Sequence, residues 1–250
     1  MQVGLIGAGN MARALARGWD EPVLVSDSGS GRAAALAAEL GGEALPSAAV
    51  AQRADLVVLC HKPAQLRDVA REVAGNARAV ASILAATDSG ALHKAFPGTP
   101  VFRLTPNTPV EMRRGVTVYA TPNAAAGSEL ESDVLALFAR LGAVVKLPER
   151  LMDAAGAVVG VGPAYQALLV EAQVDAAVRH GIDARIASEL VVGTMAGSAA
   201  LLEARGYDTL AVRREVTSPG GTTARGLAAL ERGGIRSAFQ AAIDAVRSVS

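Results

Sequence analysis

The feature that most constrains the fold is a glycine-rich turn close to the start of the chain. The segment Gly7-Ala8-Gly9-Asn10-Met11-Ala12 matches the pattern G-x-G-x-x-A. A short apolar run over residues 2–6 precedes it, and helical spacing over residues 11–17 follows. A strand, a glycine turn and a helix in this order predict the first βα unit of a dinucleotide-binding domain.

The small residues of this turn have separate roles in that interpretation. Gly7 permits the tight turn, Gly9 lets the backbone approach a pyrophosphate, and Ala12 lets helix and strand pack closely. The N–H groups at the helix start suit phosphate oxygens. A glycine turn that binds nothing is the alternative, but a strand that ends about twenty residues later favours a cofactor site. The predicted cofactor-binding residues here are Gly7, Ala8, Gly9, Asn10, Met11 and Ala12.

Strand and helix patterns alternate as far as Pro148 and then give way to helical patterns alone. Such alternation predicts a doubly wound, mostly parallel sheet, here a Rossmann domain over residues 1–148. Residues 149–250 are predicted to form an all-α domain. Further predicted strands cover 22–26, 55–60, 79–84, 101–104, 116–120 and 143–147; predicted helices cover 32–40, 128–141, 164–180, 184–204, 223–232 and 235–248.

Composition narrows the class of partners. The 24 Lys and Arg residues balance the 24 Asp and Glu residues, so we expect neither a nucleic acid nor a membrane partner. A single cysteine, Cys60, and three scattered histidines predict no metal site. The start of the chain lacks a signal-peptide pattern, and the uncharged stretch between Asp153 and Glu171 contains glycines and Pro163. We interpret it as a buried helix–turn–helix of a soluble, cytoplasmic protein.

Two further strand ends carry candidate cofactor residues. Asp27 ends the second strand, where a carboxylate typically bonds the adenine ribose and favours NAD. Ser28, Ser30 and Arg32 follow directly and suit a 2′-phosphate, so the sequence leaves NAD against NADP open; a solvated Arg32 is an equal alternative. Lys62 and Pro63 follow the strand "DLVVLC", at an edge where open α/β sheets bind ligands. A solvated lysine after a proline-terminated strand is the alternative there.

A second turn, Thr105-Pro106-Asn107-Thr108-Pro109, also follows a strand. Pro106 helps to make the turn rigid, and Asn107 offers both a donor and an acceptor to a nicotinamide or a substrate. Together with "CHKPAQ", "GPAY" and "VTSPGGTTARGL", these motifs make the chain resemble pyrroline-5-carboxylate reductases over nearly its whole length.

This resemblance implies reduction of the C=N bond of 1-pyrroline-5-carboxylate by NADPH or NADH, the last step of proline synthesis, with NADP slightly favoured. It also implies a dimer of interlocked helical domains with active sites at the interface; some members join dimers into rings. The glycine turn before the last helices suits a substrate carboxylate, and Thr223 is the predicted catalytic residue, its hydroxyl bonding the ring nitrogen. Helix capping by Ser218 or Thr222 is the alternative role. The predicted substrate-binding residues are Ser218, Pro219, Gly220, Gly221, Thr222 and Thr223.

The chain departs from the family pattern at several positions. Gly156, Val159 and Val161 stand where the family usually carries hydroxyl residues, and Ala86 stands where it has glycine. These changes keep two alternatives open: a reductase of a different cyclic imine, and a catalytically weak paralogue that acts through its dimer surface. A β-hydroxyacid dehydrogenase is rejected, because that family needs a catalytic lysine in the second domain and this chain has none after Lys146.

Overall fold

A computed structural model describes residues 1–121 and 128–247. Its contacts divide the chain into two compact units, one over residues 1–163 and one that begins at Ala164. The strands are β1 Val3–Ile6, β2 Leu24–Ser26, β3 Glu43–Ala44, β4 Leu56–Leu59, β5 Val80–Ser82, β6 Val101–Pro106, β7 Gly115–Thr121 and β8 Gly142–Pro148. The helices are α1 Asn10–Trp19, α2 Arg32–Leu40, α3 Ser47–Arg53, α4 Leu66–Val73, α5 Ser89–Ala95, α6 Glu129–Ala139, α7 Met152–Val159, α8 Gly162–Arg179, α9 Ala184–Ala204, α10 Thr209–Glu215, α11 Thr222–Arg232 and α12 Ile235–Arg247.

The first unit is built on one eight-stranded sheet of order β3-β2-β1-β4-β5-β6-β7-β8. All neighbouring pairs are parallel except β6 and β7, so the predicted doubly wound, mostly parallel fold is confirmed. Successive residues of β4 alternate between two apolar cores, with Leu56 and Val58 in one and Val57 and Leu59 in the other. Both faces of the sheet are therefore covered, as parallel strands require.

The second unit is helical throughout its described residues. Within it, α8 packs against α12: the rings of Tyr165 and Phe239 meet edge to face with centroids 6.3 Å apart, and the Tyr165 hydroxyl donates to the Ala242 carbonyl at 3.4 Å. The predicted helices over 184–204 and 223–232 are confirmed as α9 and α11. Residue 248 of the predicted last helix lies outside the described residues.

The predicted boundary at Pro148 coincides with the end of β8, whereas the contacts join α7 to the first unit. The helix–turn–helix between Asp153 and Glu171 is present as α7 and the start of α8, but the prediction that it is buried is wrong for the single chain. Ala157 is the one buried residue in that stretch, because the apolar faces of these helices meet solvent instead of protein.

Two segments of these helices, Glu149–Arg179 and Ala184–Ala204, are long and apolar enough to cross a membrane by length and composition. The core helices of soluble proteins pass the same test. Only 6% of the apolar window of each segment is buried within the chain. A surface of this kind requires cover from outside the single chain.

Candidate active site

Gly7 forms the turn between β1 and α1. Its φ of +107° lies in a region that side chains disfavour, and its N–H donates to the Ser26 carbonyl of β2 at 2.9 Å. A Cβ added to Gly7 would lie 2.8 Å from the carbonyl carbon of Cys60. Glycine is therefore required here by the close approach of the turn to the end of β4.

Gly9 differs from Gly7 because nothing in the protein demands a glycine there. It precedes α1 without a side-chain cap, accepts from the Arg13 N–H at 3.1 Å, and would have no protein atom within 4 Å of an added Cβ. The N–H groups of the first helical turn thus face open space. Ala12 is 1% exposed on the opposite side of the helix, where it lets α1 pack against the sheet.

A cavity of about 510 Å³ opens in front of this turn. Six of the predicted cofactor residues line it: Gly7, Ala8, Gly9, Asp27, Ser28 and Lys62. Six do not: Asn10, Met11, Ala12, Pro63, Pro106 and Asn107. The other residues that line it, most of which sequence reasoning did not select, are Ile6, Ser26, Ser30, Arg32, Ser47, Cys60, His61, Gln65, Asp68, Val69 and Glu72.

Asp27 follows β2 and directs its carboxylate into its own loop. Oδ1 accepts from the Gly29 N–H at 2.9 Å; Oδ2 accepts from the Ser30 hydroxyl at 2.6 Å and from the Ala33 N–H at 3.0 Å. The hydrogen bond from Ser30, with that from Ala33, lowers the pKa of Asp27 to about 2. The carboxylate is therefore ionised and already engaged at the start of α2.

The residues after β4 form the opposite side of the cavity. Pro63 begins a short 3-10 helix, and the Lys62 N–H donates to Gln65 Oε1 at 3.1 Å. Lys62 itself is exposed. His61 Nδ1 lies 2.9 Å from the Lys62 carbonyl, and burial lowers the pKa of this imidazole. Burial raises the pKa of the Cys60 thiol, so neither side chain is charged at neutral pH.

The side-chain oxygen of Asn107 already has a hydrogen-bond partner within the protein. Its side-chain oxygen accepts from the Val116 N–H at 2.8 Å and ties the turn after β6 to β7. One lone pair of the Asn107 side-chain oxygen is therefore used within the protein, while the second lone pair and the amide donor remain for a ligand. Pro106 is the last residue of β6 and is buried.

An ion-pair cluster that no sequence motif indicated joins β6 to α7. Arg103, 7% exposed, donates to Glu149 at 2.6 Å and to Asp153 at 3.1 Å. Glu149 also accepts from the N–H and the hydroxyl of Ser89, and these hydrogen bonds, with that from Arg103, outweigh the effect of partial burial and lower its pKa. The cluster fixes the chain after β8 to the sheet.

The predicted substrate loop lies in the second unit, immediately before α11. Gly220 has a φ of +69°, and the Gly221 N–H donates to the Ser218 carbonyl at 3.0 Å. The first helical hydrogen bond runs from the Arg225 N–H to the Gly221 carbonyl at 3.3 Å, so three preceding N–H groups stand at the helix start. The proposed capping by Ser218 or Thr222 is wrong: Gly221 is the N-cap, without a side-chain hydrogen bond.

Two positions that depart from the family pattern, Val159 and Gly156, lie in different surroundings: Val159 beside apolar side chains and Gly156 near Thr105. Val159 packs against the apolar cluster of Val118, Ala120 and Met152. A Cβ on Gly156 would come within 4.0 Å of the Thr105 methyl group. The valine at 159 therefore contributes to packing, and the glycine at 156 leaves space beside Thr105 near the end of β6.

Within the described ranges, no group of three or more His, Cys, Asp or Glu side chains could hold a metal ion.

Comparison with known proteins agrees with this geometry. Residues 149–250 match the family model described as pyrroline-5-carboxylate reductase dimerisation, and residues 2–86 match that of NADP oxidoreductase, coenzyme F420-dependent. A pyrroline-5-carboxylate reductase of Synechocystis is 36% identical over 99% of this chain and 95% of its own length. The enzyme of Mycobacterium tuberculosis is also 36% identical, over 100% of this chain and 95% of that protein.

Solved structures show the same arrangement of the fold. The 1-pyrroline-5-carboxylate reductase of Streptococcus pyogenes matches with a TM-score of 0.89 and 29% identity, over 99% of this chain and 97% of that one. A Plasmodium falciparum pyrroline carboxylate reductase with NADP bound shares the fold, with a TM-score of 0.88 at 24% identity, over 99% of this chain and 96% of that one. A Rossmann sheet with a glycine turn, joined to a helical unit, defines the class as a nucleotide-dependent oxidoreductase. Within that class, the chain belongs to the pyrroline-5-carboxylate reductase family.

Proposed function

We propose that this protein reduces the C=N bond of 1-pyrroline-5-carboxylate to give proline, with NADPH or NADH as the reductant. The observation that carries the proposal is the 36% identity to curated pyrroline-5-carboxylate reductases over essentially the whole of both chains. The order of motifs supports it, because the glycine turn, the turn after β6 and the loop before α11 belong to one continuous match.

The residues of the first unit fit a pyridine nucleotide. The open space at Gly9 and the uncapped start of α1 suit a pyrophosphate held by residues 7–12. Asp27 and Ser28 would border the adenosine, while Lys62, Pro63, Pro106 and Asn107 would border the nicotinamide side. The reduced nicotinamide, when bound, supplies a hydride.

The loop of the second unit fits a small anion. Ser218, Pro219, Gly220 and Thr222 are exposed, so the loop backbone is open to a ligand. Tandem glycines and unbonded N–H groups at the start of α11, an 11-residue helix, suit the substrate carboxylate. We assign residues 218–223 to that carboxylate.

The reaction needs little acid–base catalysis from the side chains. A protonated imine already accepts hydride readily, so the chain's principal task is to bind and orient the ring. Orientation of this kind contributes roughly 7–11 kcal/mol to barrier reduction. Thr223 is half-buried at the second position of α11, and its hydroxyl has no partner among the described residues. We assign it to the ring nitrogen, which it holds by a hydrogen bond.

The same proposal includes assembly and location. The apolar helices of residues 149–247 face a second copy of the chain and form a homodimer, which can join a larger ring. The description of the matching family model as a dimerisation domain supports this over a lipid environment. The protein is proposed to be cytoplasmic and to act on a small imine carboxylate, with neither nucleic acid nor membrane as partner.

The test is an assay of the purified protein that follows both NAD(P)H oxidation and proline formation by mass spectrometry. We expect both with 1-pyrroline-5-carboxylate and neither without it. Faster turnover of a six-membered cyclic imine carboxylate would instead favour the different-imine alternative. Nucleotide binding without turnover of either imine would favour the weak paralogue.

A further inference from the structure

The ion-pair cluster between β6 and α7 lies next to the turn that borders the nicotinamide in the proposed function. Arg103 and Thr105 are alternate residues of β6, so their side chains lie on the same face of the sheet. Pro106 then ends the strand, and Asn107 follows it. A helix that lies over Arg103 and Thr105 therefore borders that turn.

The helix in this place is α7. Asp153 accepts a hydrogen bond from Arg103 at 3.1 Å, and a Cβ on Gly156 would come within 4.0 Å of the Thr105 methyl group. Positions 153 and 156 are three residues apart and so share one face of the helix. This face of α7 therefore lies against the carboxyl-terminal half of β6.

Two kinds of contact hold α7 on the sheet. On the side of β7, Met152 and Val159 pack with Val118 in an apolar cluster. On the side of β6, Gly156 has no side chain to pack, and the ion pairs of Arg103 hold the helix instead. The position of α7 over β6 therefore depends on Arg103.

Stability alone does not account for a charged residue at position 103. Arg103 is buried, and its Nε has no hydrogen-bond partner among the described residues. A buried N–H without a partner costs free energy, and a buried ion pair often stabilises no more than apolar side chains of similar volume. The guanidinium instead provides defined geometry, because its two terminal nitrogens bind Glu149 at 2.6 Å and Asp153 at 3.1 Å at the same time.

We propose, on the basis of the function assigned above, that Arg103 is a positioning residue for the reduction. By binding both carboxylates it seats α7 beside the turn after β6, and so fixes the protein next to the nicotinamide. A displacement of about 1 Å near the reacting groups can lower a rate about 100-fold. The pyrophosphate is assigned to residues 7–12, so loss of Arg103 affects turnover and not nucleotide affinity.

The first measurement is hydrogen exchange, followed by mass spectrometry, on the protein without nucleotide. Arg103→Met removes the guanidinium but keeps an apolar side chain, and the two freed carboxylates are exposed enough to be hydrated. We expect faster exchange in α7 and in the turn after β6, with β1 and β4 unchanged. Arg78→Met is the matched control, because Arg78 pairs with Asp55 at the amino ends of the neighbouring strands. Unchanged exchange in α7 of Arg103→Met would overturn the seating role.

The second measurement combines steady-state reduction of 1-pyrroline-5-carboxylate with calorimetric titration of NADPH. Arg103→Met is expected to lower kcat about 10- to 100-fold and to leave the Kd of NADPH within about twofold. Arg78→Met should change neither quantity. Asp153→Ala removes one of the two carboxylates at an exposed position, so it should lower kcat by less, and it should add little in the Arg103→Met background.

The outcomes separate the inference from the proposed function. Faster exchange in α7 with unchanged kcat would overturn the positioning role, and so would an NADPH affinity that falls as much as kcat. If Arg103→Met does not fold, Asp153→Ala decides by the same readouts, and an unchanged exchange rate and kcat there would overturn the inference. An unmodified protein that binds NADPH but reduces no imine would contradict the proposed function, whereas hydrogen exchange would still decide whether Arg103 seats α7.

Discussion

Ala86 adopts a backbone conformation that its side chain opposes. Its φ is +50°, in an exposed turn between β5 and α5, at the position where the family resemblance implies glycine. A Cβ in this left-handed region destabilises the folded state by about 1 kcal/mol or more. Glycine removes that strain, but its greater conformational freedom in the unfolded state offsets part of the gain in stability. We expect Ala86→Gly to raise the free energy of unfolding by about 0.5–1 kcal/mol in urea denaturation.

Ala85, the other exposed residue of the same turn, provides the control, since its φ is not positive. Ala85→Gly should lower the free energy of unfolding by about 0.5–1 kcal/mol, because only the unfolded state gains freedom. Both proteins must be compared at one concentration, since assembly shifts apparent stability. Destabilisation by both changes would contradict the assignment of strain to Ala86.

Thr223 tests the proposed contact with the ring nitrogen. Thr223→Ala removes one hydrogen bond to the protonated ring nitrogen, so we expect kcat/KM to fall about 10- to 100-fold. Thr223→Ser, which keeps the hydroxyl, should retain most of the activity, and neither change should alter NADPH affinity. A loss beyond about a thousandfold would indicate that the hydroxyl transfers a proton, since one hydrogen bond, even to a charged group, cannot account for it.

At the residue scale, the sequence shows which residue types follow each strand, but it does not show the hydrogen-bond partners of their side chains. It places Asp27 after β2 and Asn107 after β6, and both lie there. It does not reveal that the Asp27 carboxylate accepts a hydrogen bond from Ser30 in its own loop, or that the Asn107 side-chain oxygen accepts one from the Val116 N–H. Those outcomes depend on side-chain rotamers and on neighbouring backbone that no local pattern encodes.

Among the elements, the long periodic helices were the most predictable. The predicted ranges of α2 and α9 agree with the structure at both ends, because glycine ends α2 and Asp183 caps α9. The two-residue strand β3 and the seven-residue helix α10 were missed, since periodicity needs a longer window. The antiparallel direction of β7 also lies beyond local patterns, because the partner strand and the connection decide it.

The loop before α11 gives a prediction at the same scale. A Cβ on Gly221 would clash with the Ser218 hydroxyl and would lie 3.1 Å from the Ser218 carbonyl oxygen, so Gly221→Ala alone disturbs the loop internally. Adding Ser218→Ala removes the nearer of these two atoms. We expect the double variant to show a KM for the imine at least about tenfold above that of Ser218→Ala alone, the equivalent of about 1.4 kcal/mol in binding.

The readouts that accompany this comparison are NADPH affinity and thermal stability. NADPH affinity should be the same in the double variant and in Ser218→Ala, because the nucleotide is assigned to residues 7–12. If KM for the imine rises and NADPH affinity falls by a similar factor, the loop binds the cofactor rather than the substrate. An unchanged KM in a folded double variant would remove residues 218–223 from the substrate site.

At the scale of the whole molecule, the two units differ in how they bury apolar surface. The first contains two apolar cores on its sheet, whereas Ala187 is the one buried hydrophobic residue in the described part of the second. Leu168, Leu190 and Leu230 are each more than half exposed. Helices that are apolar around much of their circumference cannot all be covered within a domain of about 100 residues.

A second copy of the chain is therefore expected to complete the core of the second unit. Leu190 is 55% exposed on α9, and Leu190→Asp would place a carboxylate in the proposed apolar interface, where it cannot be hydrated. We expect sedimentation equilibrium to show a dimer or larger assembly for the unmodified protein and monomer or unfolded chain for Leu190→Asp. Glu203→Gln, an exposed change on the same helix, should assemble normally. A stable, folded monomer of the unmodified protein at low micromolar concentration would show that its apolar helices need no partner, and the proposed homodimer would be wrong.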